Sequence, residues 1–170
     1  GEYDLLYCPR GKTGDVTIPT SIVQVSPKAF YGVAISNVYF AEFDKNDTEH
    51  YGKPLLSIGS IADTTGINNA DTYSVFGLCP NLKTVKFPSH VDVVYAYAFG
   101  SIASYNSSGV SIIFNQDSVN GVAFKMNAIR GIHATKLILP PVREIGSYSF
   151  AYLSALEEFE LPESSPLIEI

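Results

Sequence analysis

The chain repeats one pattern, which is clearest in Leu82–Phe99, LKTVKFPSHVDVVYAYAF. Counted from Pro88, apolar side chains stand at positions −6, −3, −1, +3 and +6, and an Ala-Phe pair stands at +10 and +11. Thr13–Phe30 shows the same pattern around Pro19, except that a threonine replaces the leucine at −6. A shared proline with this many matching apolar positions is typical of a repeat protein.

The spacing of the Ala-Phe position extends the pattern through the middle of the chain. Phe76 and Phe99 are 23 residues apart, whereas Phe30 and Phe76 are 46 residues apart, which is two repeat lengths. Residues 41–72 are polar and rich in turn-forming residues, apart from one short apolar run. We therefore predict a degenerate repeat over 41–72, with its strand at Leu56–Ile58 and an enlarged loop.

The later units follow the pattern with small insertions. Ile112–Phe114 is predicted to be a strand, with Asn115 in the proline position and Ala123-Phe124 as the Ala-Phe pair. Two further units are centred on Pro140 and Pro162. The last unit stops before its Ala-Phe position, so we expect either a longer array or an end that is capped by other means.

The pattern predicts the fold class. The alternation at −3 and −1 indicates a short strand with one buried face, and the proline ends that strand because it has no N–H for the ladder. The Ala-Phe pair suits a single helical turn that fills the core. One unit cannot bury its apolar face alone, so units must stack. We predict one domain over 1–170, a β-rich repeat solenoid that forms a right-handed coil with a curved parallel sheet of short strands.

The first residues are predicted to form a cap. Leu6 and Cys8 stand at −3 and −1 from Pro9, a Gly-rich polar segment follows, and a second alternating segment occupies 16–18. Two such segments around a turn favour a β-hairpin. We therefore predict an N-terminal β-hairpin over 4–18 that covers the apolar edge of the first coil.

The sequence also resembles a known family. The motif L-x-x-V-x-F-P-x-x-V-x-x-V-x-x-x-A-F-x-x-C, combined from Leu82–Phe99 and Phe76–Cys79, resembles the BspA-like class of leucine-rich repeat. Leu6–Phe30 resembles the opening of such arrays. The resemblance implies a secreted or surface-attached protein of host-associated bacteria or protozoan parasites that adheres to host proteins or to other microbes. It implies an extracellular or cell-surface location, with any signal or anchor removed from this chain.

Composition excludes several other classes of function. The net charge of −6 argues against nucleic acid and against electrostatic docking to anionic lipid, because both require a basic surface. No apolar run approaches the ~18 residues of a transmembrane segment. The two cysteines, Cys8 and Cys79, are too few for a disulfide framework. We predict that both are buried in apolar positions, several coils apart.

No pattern indicates catalysis, a cofactor or a metal. We predict that His50, His90 and His133 lie in solvated loops, because none has a partner at ligand spacing. Asp44–Glu49 is rich in oxygen ligands but lacks the glycine of a calcium loop at its sixth position. A polar loop is the plainer interpretation of that segment.

The outward positions of the strands, −4 and −2, remain as the candidate partner-binding surface. In a solenoid they line the concave sheet, which such proteins use to hold partners. The residues are Asn37, Tyr39, Thr84, Lys86, Ser111, Ile113, Lys136, Ile138, Glu158 and Glu160. An apolar patch would form if Ile113 and Ile138 lie beside Tyr39; the alternative is a set of ordinary cross-strand pairs on a solvated sheet.

We therefore predict a non-enzymatic extracellular protein-interaction or adhesion module of a bacterial surface protein. It would bind a host or microbial surface protein through the concave face or through the 41–72 loop. The alternative is a module that binds cell-surface glycans, since exposed tyrosines stack on sugars.

Overall fold

The computed structural model describes residues 2–43, 55–60, 73–100, 109–118, 120–163 and 165. These ranges contain twelve short strands: β1 (Tyr3–Leu5), β2 (Gly14–Ile18), β3 (Ile22–Val25), β4 (Ile35–Phe40), β5 (Leu56–Ile58), β6 (Thr84–Phe87), β7 (Val91–Val94), β8 (Val110–Phe114), β9 (Val122–Phe124), β10 (Ala134–Ile138), β11 (Val142–Ile145) and β12 (Glu158–Glu160). Within the described ranges, no helix has the length and apolarity that a membrane crossing requires.

The strands form two six-stranded sheets, each with parallel neighbours throughout. The even sheet has the order β12-β10-β8-β6-β4-β2, and the odd sheet has the order β1-β3-β5-β7-β9-β11. A coil therefore contributes the strand before its proline to the even sheet and the strand after it to the odd sheet. The predicted β-rich repeat solenoid is confirmed, but the return leg is a second strand. Segments such as Val91–Val94 are rich in β-branched residues, which favour strands.

The predicted hairpin over 4–18 is wrong. β1 pairs in parallel with β3, and β2 pairs in parallel with β4, so the two segments belong to different sheets. Leu5 is opposite Val25 in the ladder, whereas Leu6, a predicted core residue, is 64% exposed. A shift of one residue moves a strand's side chains to the opposite face. Two alternating segments around a turn do not distinguish a hairpin from a corner between two sheets.

The 46-residue gap contains one coil instead of two. β4 pairs directly with β6, as in Val38 opposite Val85, and β5 pairs with both β3 and β7. A second coil would need its own strand between β4 and β6, and the direct pairing leaves no space for one. β4 and β5 therefore belong to one coil, and β6 begins the next. Residues 44–54 and 61–72 of segment 41–72 lie outside the described residues.

The turns around the Ala-Phe position stack on one another and form a row beside the two sheets. Backbone hydrogen bonds connect successive turns of this row. The Phe30 N–H donates to the Val75 carbonyl at 2.9 Å, and the Ile129 N–H donates to the Ser149 carbonyl at 2.8 Å. Residue 129 thus takes the phenylalanine position of its coil. The repeat pattern predicts Phe124 for that position, but this prediction is wrong, because Phe124 lies in β9 opposite Val94. The insertion lies before β9, so counting from the proline position misplaced the pair.

Two columns of stacked phenylalanine rings run through the core. Phe76 lies between Phe30 and Phe99, with ring centroids 5.2 and 5.4 Å away. Phe87 lies between Phe40 and Phe114, at 4.9 and 4.6 Å. The columns meet where Phe87 makes edge contacts to Phe76 and Phe99. This aromatic core links the even sheet to the row of turns.

Both cysteines are buried and unpaired, and their burial confirms the prediction. They contact neighbouring residues of one turn, however, and are not several coils apart. The Cys8 N–H donates to the Ala29 carbonyl at 2.6 Å, and the Cys79 Sγ donates to the Phe30 carbonyl at 2.8 Å. Burial raises the pKa of the Cys79 thiol to about 11, which disfavours the reactive thiolate.

Candidate interaction face

The predicted outward residues lie together on the even sheet in two rows, one residue per strand. In the first row, Asn37, Thr84, Ser111, Lys136 and Glu158 are successive cross-strand partners. In the second row, the partners are Tyr39, Lys86, Ile113, Ile138 and Glu160. Neighbouring strands are about 4.8 Å apart, so the six strands span roughly 24 Å. We call this surface the outward face.

The pairing of β2 with β4 adds two residues that the sequence did not indicate. Asp15 is opposite Asn37, and Thr17 is opposite Tyr39, so both extend the rows by one strand. The Asn37 Nδ2 donates to the Asp15 carboxylate at 2.7 Å. These residues were missed because 4–18 had been predicted as a separate cap. The strand parity that identified the other positions would have found them.

The centre of the second row combines apolar and cationic side chains. Tyr39 and Lys86 are exposed, and Ile113 and Ile138 are half-buried neighbours. Lys86 lies between Tyr39 and Ile113, so the tyrosine is not adjacent to the isoleucine pair. The continuous apolar patch, which would need that adjacency, does not form. Lys86 forms no ion pair with any described residue. Its ammonium group is thus available next to an apolar surface.

Acidic side chains occupy both ends of the outward face. Asp15 lies at the β2 end, and Glu158 and Glu160 lie at the β12 end. The Lys136 ammonium pairs with the Glu158 carboxylate across β10 and β12. At this end, the alternative of an ordinary solvated cross-strand pair therefore holds. Such an exposed pair contributes little to stability.

Beside the outward face, the Glu42 carboxylate joins the ends of three strands. Glu42 follows β4, and its carboxylate accepts hydrogen bonds from the Ser89 N–H at 2.8 Å and the Ser89 Oγ at 2.7 Å. The Asn115 Nδ2, beyond β8, donates to the same carboxylate at 2.9 Å. No sequence signal pointed to Glu42, because the repeat pattern breaks after Phe40. Only the sheet order brings these three turns together.

His90 belongs to this cluster, and the prediction that it lies in a solvated loop is wrong. Its side chain is 10% exposed, its Nδ1 lies 3.5 Å from the Glu42 carboxylate, and its ring lies 4.1 Å from that of Phe43. His133 is half-buried before β10, and His50 lies outside the described residues. Asp44–Glu49 lies outside them as well. Among the residues described, no group of three metal-ligating side chains occurs.

The hydrogen bonds around Glu42 outweigh the effect of its burial. Burial alone raises the pKa of the carboxyl, but the bonds from Ser89 and Asn115 and the charge of His90 lower the pKa of Glu42 below its ordinary value of 4.5. A carboxyl with a lowered pKa stabilises the fold above the unfolded-state pKa. That contribution is lost as the pH falls through the folded-state pKa.

We expect Glu42→Gln to lower the free energy of unfolding by about 1 kcal/mol at pH 7, because it removes the charge that strengthens the hydrogen bonds from Ser89 and Asn115. The loss is no larger because a third of the side chain is solvated. The difference from wild type should shrink as the pH is lowered towards 3, because the Glu42 carboxyl takes up its proton first in the unfolded state and then in the folded state. Urea denaturation at the two pH values measures this. Glu163→Gln, an exposed carboxylate, is the matched control. An equal loss at both pH values would contradict the role of the charge.

Two parallel sheets with one strand per coil in each define this protein as a leucine-rich-repeat-like solenoid. More specifically, it belongs to the BspA type leucine rich repeat family, whose model matches residues 11–106 and 72–170 with six copies.

One solved structure resembles this fold, that of a leucine rich cell surface protein from Faecalibacterium prausnitzii A2-165. The sequences are 18% identical and the TM-score is 0.43, over 85% of this chain and 38% of the other. This chain thus spans well under half the length of that protein. No curated protein matches the chain.

Proposed function

We propose that this chain is a non-enzymatic, extracellular protein-interaction module of a bacterial surface protein, which holds its partner on the outward face. The observation that carries the proposal is the second row of that face. Exposed Tyr39 and Lys86 stand there beside the half-buried pair Ile113 and Ile138. Tyrosine is enriched at protein interfaces because its ring buries a large apolar area while its hydroxyl finds a polar partner.

The charge pattern favours a partner with a complementary arrangement. An acidic or carbonyl group would meet Lys86 at the centre, where no described carboxylate neutralises it. Basic groups would meet Asp15 at one end and Glu158 and Glu160 at the other. Complementary charges of this kind set the orientation and the association rate more than the affinity. The apolar centre would supply most of the binding energy.

The surface location is part of this proposal. It is supported by membership of the BspA type leucine rich repeat family, whose members are mostly secreted or surface-attached. Host or microbial surface proteins are the expected partners. Binding through the 41–72 loop stays a prediction, since most of that loop lies outside the described residues.

The double variant Tyr39→Ala/Lys86→Ala tests the proposal. A panel of purified host surface and matrix proteins is first screened for binding to the wild-type chain. For the proteins that bind, we expect the affinity of the variant to be about 10- to 100-fold lower, because the variant lacks a central side chain of the interface. Biolayer interferometry measures the affinity, and the melting temperature should stay within about 2 °C because both side chains are exposed.

Tyr3→Ala/Lys12→Ala is the matched control, because it removes the same two residue types from exposed positions outside the even sheet. Capture that is unchanged in the Tyr39/Lys86 variant, or lost equally in both variants, would contradict binding on the outward face.

A further inference from the structure

A cavity of about 380 Å³ lies at the N-terminal end of the row of turns, away from the outward face. It is lined by Tyr7, Cys8, Arg10, Lys28 and Tyr31. Its volume is within the usual range for sites that bind small ligands, about 300 to 1,000 Å³. None of the five lining residues belongs to a strand, so the cavity is built from turns and from the segment after β1.

Backbone hydrogen bonds hold the walls of this cavity in place. The Cys8 N–H donates to the Ala29 carbonyl at 2.6 Å, which attaches the first segment to the first turn. Lys28 adopts a left-handed conformation with φ 63°, and its N–H donates to the Ser74 carbonyl at 2.9 Å. The Tyr31 N–H closes the turn onto the Lys28 carbonyl at 3.0 Å. A ligand would therefore meet a preformed site, which reduces the entropy lost on binding.

The cavity is basic, although the chain as a whole is acidic. Residues 5–34 contain three cationic side chains and one carboxylate, Asp15, whereas the net charge of the chain is −6. The Asp15 carboxylate accepts a hydrogen bond from Asn37 on the outward face. Neither Arg10 nor Lys28 forms an ion pair with any described residue. Two cationic groups at one cavity favour an anionic ligand.

Aromatic side chains provide the second element of recognition. Tyr7 is 73% exposed, so one large ring is left in solvent at the mouth of the cavity. The Tyr31 ring is partly occupied already, because the Lys28 ammonium lies 5.7 Å from its centroid. Each tyrosine offers an apolar ring face and a hydroxyl group that can donate or accept a hydrogen bond. Tyr7 is the ring on which a ligand can stack.

We propose that this cavity binds an anionic saccharide, in which a sugar ring carries a sulfate or carboxylate group. The anionic group lies on Arg10 and Lys28, and the C–H face of the ring lies against Tyr7. A planar guanidinium group binds such oxyanions through paired N–H donors. A sugar hydroxyl group pairs with the hydroxyl group of Tyr7.

An acidic peptide fits this cavity less well than a saccharide does. Extended peptides are held chiefly by main-chain hydrogen bonds at a sheet edge, and the lining residues lie outside the strands. The lining is compact and contains two cationic side chains and two tyrosine rings. It therefore suits a single charged sugar better than an extended peptide. The cavity shares no residue with the outward face, so the two binding proposals succeed or fail independently.

Isothermal titration calorimetry with four probes tests this inference. The probes are a sulfated tetrasaccharide, a uronic acid tetrasaccharide, a neutral tetrasaccharide and a tetra-aspartate peptide. We expect at least one of the two anionic saccharides to bind, and the affinity to fall as the salt concentration rises from about 50 to about 300 mM, because salt screens the charges. Comparison of the sulfated and uronic acid probes identifies the anionic group.

Single variants then assign the binding to the cavity. Arg10→Gln and Tyr7→Ala should each lower the affinity for the anionic saccharide by about 10-fold or more. Lys83→Ala removes an exposed cation outside the cavity and should leave the affinity unchanged. The inference is overturned if neither anionic saccharide binds, if the neutral saccharide or the peptide binds as tightly, or if Arg10→Gln keeps the wild-type affinity.

Discussion

Phe87→Ala should lower the free energy of unfolding by about 4 kcal/mol, the largest effect of any substitution considered for this protein. Phe87 is fully buried at the point where the two phenylalanine columns meet. Its ring contacts four others, those of Phe40, Phe76, Phe99 and Phe114. Alanine would leave a cavity in contact with three coils, and the stacked backbone ladders restrict its collapse. Cavities that cannot collapse have the highest cost.

Urea denaturation followed by far-UV circular dichroism and by tyrosine fluorescence measures this loss. Phe159→Ala is the matched control, because Phe159 lies on the edge strand β12 and is 51% exposed. It should cost about 1 kcal/mol or less. A loss below 1 kcal/mol for Phe87→Ala, or one equal to that of Phe159→Ala, would contradict a continuous core through the stacked coils.

Gly146→Ala should also destabilise the fold, by about 2 to 3 kcal/mol, although it adds only one methyl group. A Cβ at this position would lie 2.5 Å from the Met126 nitrogen and 2.8 Å from the Lys125 carbonyl carbon. Both are backbone atoms of the preceding coil, and they cannot move aside as the end of a side chain can. The Gly146 N–H also donates to the Phe124 carbonyl at 2.7 Å, which fixes the two coils at this distance.

Gly11→Ala provides the control for the added methyl group, since a Cβ there would meet no atom within 4 Å. It should change stability by less than about 0.5 kcal/mol. Thermal melting of both variants under the same conditions compares them directly. If Gly146→Ala melts at the same temperature as Gly11→Ala, the close approach of the coils does not limit this position.

The burial pattern of the repeat could be predicted because it depends on local spacing. Leu82, Val85, Val94 and Phe99 are completely buried, at positions that were assigned by counting from Pro88. Alternation along a strand determines which side chains face the core, and a proline determines where a strand ends. The same alternation correctly grouped the outward residues into rows, from Asn37 and Tyr39 on β4 to Glu158 and Glu160 on β12.

The errors arose where the answer depends on which strands pair. The spacing of Phe30 and Phe76 equals two repeats, yet the pairing of β4 with β6 shows that it holds one enlarged coil. An insertion before β9 shifted the expected Ala-Phe pair from Ala128-Ile129 to Ala123-Phe124. Lengthening a loop has a small entropic cost, so a repeat array tolerates insertions. Such insertions change the residue spacing from which the repeat positions are predicted.

The sequence by itself determined the class of fold, the apolar positions that fill the core and the alternate positions of each strand that point away from the core. These features follow from the period of the pattern. Only the tertiary structure decided the division into two sheets, the clustering of Glu42 with Ser89 and Asn115, and the cavity around Arg10 and Lys28. These features join residues from different coils, and some are more than 70 positions apart. Contacts of that kind depend on the stacking order of the coils, which the spacing within a single repeat does not specify.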